Sequence, residues 1–80
     1  MQPNQIASEN YYQALEDYKK AFKACSEASE AYSEAFRTKD QTLEDKALEA
    51  YGKASLVKSK TFKTYNEASE NYLKAIEDNN

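Results

Sequence analysis

The sequence contains no histidine and no tryptophan, and only one cysteine, one proline and one glycine among its 80 residues. The lack of histidine argues against a zinc or haem site of the usual kind. The single cysteine, Cys25, excludes an intramolecular disulfide framework, fits a reducing compartment, and has no histidine to activate it as a nucleophile. A single glycine cannot form a glycine-rich loop around a phosphate group. We therefore expect no metal, no cofactor and no enzymatic activity.

Long apolar runs and a strong excess of one charge are also missing. No apolar stretch approaches the roughly 18 residues that a membrane-spanning helix needs, and the first residues do not have the pattern of a signal peptide. The 11 basic and 14 acidic residues are interleaved, with a net charge of −3. This pattern offers no basic face to nucleic acid or to a membrane surface. We expect a soluble cytoplasmic protein with no membrane partner, and the charge pattern disfavours a nucleic-acid partner.

Large aliphatic residues and phenylalanine are scarce, since Leu, Ile, Val and Phe together number 11. Such a low fraction is typical of disordered chains and limits the core that the protein can bury. A chain of this length also buries only a little over half of its unfolded surface. The low net charge, the seven tyrosines and the strict periodicity of the sequence argue against disorder. We expect one small folded domain.

The chain does contain an internal repeat, at an interval of 40 residues. Residues 7–36 align with residues 47–76 without a gap, and 13 of the 30 aligned positions are identical. The longest shared run is Glu-Ala-Ser-Glu, which begins at Glu27 and again at Glu67. A catalytic site needs one unique cluster of residues, so we do not expect it to occur twice along a rod. A packing surface can be repeated in this way. The repeat therefore favours a structural or binding role.

Both repeats have the composition of α-helices, because the strong helix formers Ala, Glu, Lys and Gln fill 29 of their 60 positions. The helix-breaking residues are Pro3, at the extreme start, and Gly52, inside the second repeat. We predict a single helical-hairpin domain over residues 1–80, with helix one at about 4–37, a turn at about 38–41 and helix two at about 42–78. A kink or a third helix beginning near Gly52 is the alternative. The repeat argues against it, because helix one shows no matching interruption.

The predicted turn is rich in residues that cap helices. Three of its residues have side-chain oxygens that can accept hydrogen bonds from the free N–H groups at the start of helix two: Thr38, Asp40 and Thr42. Thr38 followed by Gln41 has the pattern of a capping box, as does Thr42 followed by Asp45. The sequence therefore predicts a tight turn with a capped second helix.

Apolar or small residues recur along each helix in alternating steps of three and four, the pattern of a heptad seam. The first core position, a, is occupied by Tyr11, Tyr18, Cys25, Tyr32, Tyr51, Lys58, Tyr65 and Tyr72. The second, d, is occupied by Ala7, Ala14, Ala21, Ala28, Ala35, Ala47, Ala54, Thr61, Ala68 and Ala75. One position is large and the other is almost always alanine. We predict an all-α, coiled-coil-like antiparallel hairpin in which each tyrosine ring faces an alanine methyl group.

A third row of apolar residues follows position e, beside the seam. We name it the apolar strip, and its members are Leu15, Phe22, Phe36, Leu48, Phe62 and Ile76. In an antiparallel pair both e rows emerge on the same side of the hairpin, so the six side chains form one surface. Burying each Leu or Phe is worth about 1.5–3 kcal/mol, which makes an uncovered strip costly. We expect a partner to cover it, most simply a second copy in a four-helix bundle.

Two departures from the repeat suggest further features. Leu56, Val57 and Leu73 replace polar residues of helix one and form a candidate secondary patch for another protein. Lys58 interrupts the seam, where it can extend its ammonium group to the rim or fix the register. The spacing suggests Asp17 as its counter-ion.

Three interpretations of function follow from the sequence. The first is a non-enzymatic interaction module that forms a homodimer, binds a partner protein, or does both, through the apolar strip. The second is a small inhibitor or adaptor, of the kind that phages and mobile elements encode, whose strip captures a host protein. The third is an RNA-binding hairpin, with weaker support because its lysines are flanked by acidic residues. Those lysines are Lys19, Lys20, Lys23, Lys60 and Lys63.

Overall fold

The computed structural model describes residues 3–78, which form two α-helices joined by a two-residue turn. Helix α1 spans Pro3–Thr38 and helix α2 spans Gln41–Asp78. The two helices pack against each other along the chain, so the predicted all-α hairpin is confirmed. Each helix extends one residue further into the turn than the sequence predicts. The first two and last two residues of the predicted domain lie outside the described part of the chain.

Helix α2 runs through Gly52 without interruption, and the alternative of a third helix is therefore wrong. The cost of one internal glycine is about 1 kcal/mol relative to alanine. The helix-forming residues on both sides and the packing against α1 outweigh that cost. A Cβ atom built at Gly52 would meet nothing within 4 Å, so the glycine is not needed for a close approach.

The second helix begins with Asp40 as its cap. Asp40 Oδ1 accepts hydrogen bonds from the backbone N–H groups of Thr42, at 3.0 Å, and Leu43, at 3.3 Å. Neither predicted capping box forms, because α2 begins at Gln41 and the cap position therefore belongs to Asp40. The Gln41 side chain instead donates to Asp45 Oδ1 at 2.9 Å, one turn along the helix.

The end of α1 is closed by a left-handed residue and a hydroxyl group. Lys39 has φ 61° and donates its N–H to the carbonyl oxygen of Phe36 at 3.3 Å, which is one of the two bonds of a Schellman cap. The other bond is replaced by a relay through Thr38. Its hydroxyl donates to the carbonyl of Ala35 at 2.6 Å and accepts the N–H of Asp40 at 3.3 Å. The reversal is thus built by the side chains of the turn.

The hairpin is a thin rod with a narrow core. It measures 60 × 16 × 13 Å, and its radius of gyration is 17.8 Å, against about 12 Å for a compact domain of this length. Its buried apolar residues are Ala14, Ala21, Cys25 and Ala68. All four occupy the predicted seam, where small side chains let the two helices approach closely. Within the described chain, no large side chain is fully buried.

Candidate interaction surface

The e positions of both helices emerge on one side of the rod. The ring of Tyr18 lies 6.4 Å from that of Phe22 on α1 and 5.3 Å from that of Phe62 on α2, measured between centroids. The g positions meet on the other flank, where Asp17 of α1 and Thr64 of α2 line one groove of about 620 Å³. The apolar strip therefore lies on the flank opposite that groove, with Ser29 between Phe22 and Phe36 on α1 and Ser55 between Leu48 and Phe62 on α2.

Five of the six strip residues are exposed, and Leu15 is half-buried. The exposed fraction is greatest at Phe36, at 64%, and is 50% at Phe22. Leu48, Phe62 and Ile76 complete the exposed set. The fold thus places large apolar side chains in water along the length of the rod, because the seam between the two helices is too narrow to take them.

Four of the six seam tyrosines pack against one another, and Tyr18 brings them into contact with Phe22 and Phe62 of the strip. Ring contacts join seven residues, which we name the aromatic cluster: Tyr11, Tyr12, Tyr18, Phe22, Phe62, Tyr65 and Tyr72. Tyr11 lies between two rings of α2, with centroids 5.5 Å from Tyr65 and 5.4 Å from Tyr72. Tyr18 stacks on the other side of Tyr65 at 5.9 Å. The rings therefore alternate between the helices along the rod.

This arrangement differs from the predicted pairing of each ring with one methyl group. Positions a and e are neighbours around a helix, about 40° apart, whereas a and d project to different sides. The buried alanines draw the helices together, so the rings cannot remain between them and lean toward the strip. Edge-to-face and offset contacts between rings are favourable by about 0.5–1.5 kcal/mol beyond the area they bury.

One polar contact lies within the aromatic cluster. The hydroxyl oxygens of Tyr11 and Tyr65 are 3.3 Å apart and share a hydrogen bond in which either can be the donor. This hydrogen bond, together with the electrostatic effect of Tyr65, raises the pKa of Tyr11 above its ordinary value. The hydrogen bond thus joins the two helices, and the Tyr11 phenol stays neutral to a higher pH than an isolated tyrosine.

Lys58 points to the strip side of the molecule. Its Nζ atom lies 4.6 Å from the centroid of the Phe22 ring, in a cation–π contact. The predicted ion pair with Asp17 is wrong, because position g places Asp17 in the groove on the opposite flank, where its Oδ1 accepts a hydrogen bond from Gln13 at 2.9 Å. Lys58 thus adds a positive charge to the edge of an otherwise apolar face.

The residues of the secondary patch are all exposed but do not form one surface. Val57 and Leu56 are adjacent, and so point about 100° apart around α2. Leu73 lies 16 or more residues further along the same helix, a rise of about 24 Å. The five lysines of the RNA-binding interpretation are also exposed and occupy the outer b, c and f positions.

Comparison with known proteins gives no relative: no family model, no curated protein and no solved structure matches this chain. Within residues 3–78, no group of three or more histidine, cysteine, aspartate or glutamate side chains is placed to hold a metal ion. Neither described helix contains a stretch that is both long and apolar enough to cross a membrane.

The residues that sequence reasoning missed are the tyrosines of the aromatic cluster. We assigned Tyr11, Tyr18, Tyr65 and Tyr72 to the seam alone, whereas they also form part of the face that carries the strip. The signal was available, because position a borders position e on the helical wheel. The exposed face is therefore larger and more aromatic than the six strip residues suggest.

Proposed function

We propose that this chain is a non-enzymatic interaction module that pairs with a second copy of itself through the apolar strip, forming a four-helix bundle. The observation that carries this proposal is the coexistence of a very small core with exposed Phe, Leu and Ile side chains along one flank of the rod. Two-helix units seldom bury enough apolar surface to be stable alone. A cover over the strip supplies the missing burial.

The surface area of the hairpin supports a second copy as that cover. One chain exposes 6173 Å², whereas a compact monomer of this mass exposes about 4,900 Å². The excess is about 1,300 Å² per chain, or about 2,600 Å² for a pair, which lies within the range of obligate homodimers. A pair that buried this excess would have an interface of the size that obligate homodimers use.

The charge distribution is compatible with the same proposal. Lys58 lies at the edge of the strip, on Phe22, so its ammonium group can stay in water at the rim of an interface.

The buried thiol of Cys25 forms no disulfide, and we propose that the dimer acts in the cytoplasm, where thiols remain reduced.

The proposal is tested by sedimentation equilibrium of the wild-type chain and of a Phe22→Ser, Phe62→Ser double variant at micromolar concentration. We expect a wild-type dimer, and a double variant that dissociates with partial loss of helicity, because dimer formation contributes to stability. The matched control is Leu56→Ser with Leu73→Ser, which removes two exposed apolar side chains outside the strip. The control should remain dimeric. A double variant with unchanged mass and helicity would contradict an interface that covers the strip along its length.

A further inference from the structure

We infer that the second copy is held chiefly at the end of the strip nearest the turn, with Phe36 as the principal anchor. This inference rests on the proposed function, since it assumes that the strip is covered by another copy of the chain. It concerns the surface that we name the turn patch, formed by Tyr32, Phe36, Arg37, Leu48 and Tyr51.

Burial within one chain is uneven along the rod. The buried residues closest to the turn are Cys25 on α1 and Ala68 on α2, and no residue between positions 26 and 67 is buried. The aromatic cluster likewise takes no ring from the turn patch. Among the described residues, the end of the hairpin that contains the turn therefore has neither a buried residue nor a ring contact from its own chain.

The phenylalanines of the strip differ in the same way. Phe22 contacts the Tyr18 ring and the Lys58 ammonium group, and Phe62 contacts the Tyr18 ring. Phe36 makes no ring contact within residues 3–78 and is the most exposed of the three. Covering Phe36 therefore removes more apolar area from water than covering Phe22, and it competes with no intramolecular partner.

The turn patch also has the form that a symmetric contact requires. The exposed Phe36 ring is one wall of an open hollow of about 400 Å³ on α1, and Tyr32, Ser33 and Arg37 form the rest of its lining. A hollow walled by an exposed ring can receive the same ring from a second copy, so both copies can use the same surface in a two-fold interface. Arg37 can stack on an incoming ring. Aromatic and arginine side chains that cluster in this way are typical of the residues that dominate interface energy.

The experiment compares Phe36→Ser with the matched variant Phe22→Ser, which makes the same change two heptads away on the same row. The dimer dissociation constant is measured by sedimentation velocity over a dilution series, and helicity by circular dichroism. Because each dimer loses two anchors, we expect Phe36→Ser to raise the dissociation constant by about 100-fold or more, with wild-type helicity at the concentrations where the dimer still forms. Phe22→Ser should weaken dimerisation less and lower the melting temperature more.

Two outcomes would overturn this inference and leave the proposed function intact. The first is a dimer weakened equally or more by Phe22→Ser. The second is a loss of helicity in Phe36→Ser at every concentration, since that would show Phe36 to be needed within its own chain. A wild-type chain that remains a folded monomer would overturn the proposed function itself, and the wild-type dilution series distinguishes this result from the other two.

Discussion

Lys58 of α2 places its ammonium nitrogen 4.6 Å from the centre of the Phe22 ring of α1, which links the one charged position of the seam to the apolar strip. A lysine at such a position usually reduces stability, because its charge must stay hydrated. Here the stem passes along the seam while the ammonium group rests on a ring at the edge. The contact explains how a charged residue is accommodated in the interior row of a two-helix rod.

A double-mutant cycle with Lys58→Met and Phe22→Leu measures this contact. Both changes retain apolar volume, so the interaction term isolates the cation–π energy. We expect a favourable coupling of about 0.5–1 kcal/mol from urea unfolding. The control cycle pairs Lys58→Met with Phe36→Leu, which lies outside that contact, and its coupling should be near zero. Equal couplings in the two cycles would contradict the assignment.

Gly52→Ala should stabilise the protein by about 1 kcal/mol. The added methyl group meets nothing within 4 Å, and alanine loses less conformational freedom in a helix than glycine does. The measurement is the free energy of unfolding in urea. The reverse change at an exposed position of the same helix, Ala50→Gly, should destabilise by a similar amount. A loss of stability in Gly52→Ala would show that the glycine is needed for a close contact with a second copy, which a single hairpin does not contain.

Lys39→Gly should also raise the free energy of unfolding, by about 1 kcal/mol. Lys39 holds φ at 61°, a left-handed conformation in which a Cβ atom is strained and glycine is not. Lys39→Ala is the matched control, because it removes the long side chain but keeps the Cβ atom. Thermal unfolding of the three proteins separates the effects. If alanine stabilised as much as glycine, backbone strain would not be the cause.

The Tyr11–Tyr65 contact predicts an alkaline loss of stability. The pKa of Tyr11 is raised in the folded chain, so the unfolded chain releases this proton first as the pH rises. The stabilisation is therefore complete below the ordinary tyrosine pKa of about 10 and is lost as the pH rises through the folded value. Tyr65→Phe should remove this part of the dependence, measured by urea midpoints across the alkaline range. Tyr32→Phe, outside the aromatic cluster, should leave it unchanged.

The sequence predicts the hairpin because it contains so few helix-breaking residues. With Pro3 at the start and Gly52 unable to interrupt a helix alone, the capping residues around Asp40 are the remaining place for a reversal. The alternation of tyrosine and alanine then sets which faces meet. These features depend on local propensity and helical period, which a sequence displays directly.

The remaining features depend on backbone geometry that forms only when the helices pack. The Thr38 hydroxyl bridges the Ala35 carbonyl and the Asp40 N–H because Lys39 adopts a left-handed conformation. A lysine at position 39 does not predict that conformation. The direction of the tyrosine rings and of Lys58 follows from how closely the alanines draw the helices together. The heptad pattern predicts which residues lie in the interior but not the distance between the two helices.

The central claim is that the apolar strip is covered by a second copy of the chain. Sedimentation equilibrium of the wild-type protein, with circular dichroism over the same dilution series, tests it most directly. We predict a species of twice the 9.1 kDa chain mass at micromolar concentration, which dissociates and loses helicity together on dilution. A fully helical species of single-chain mass at every concentration would contradict the account.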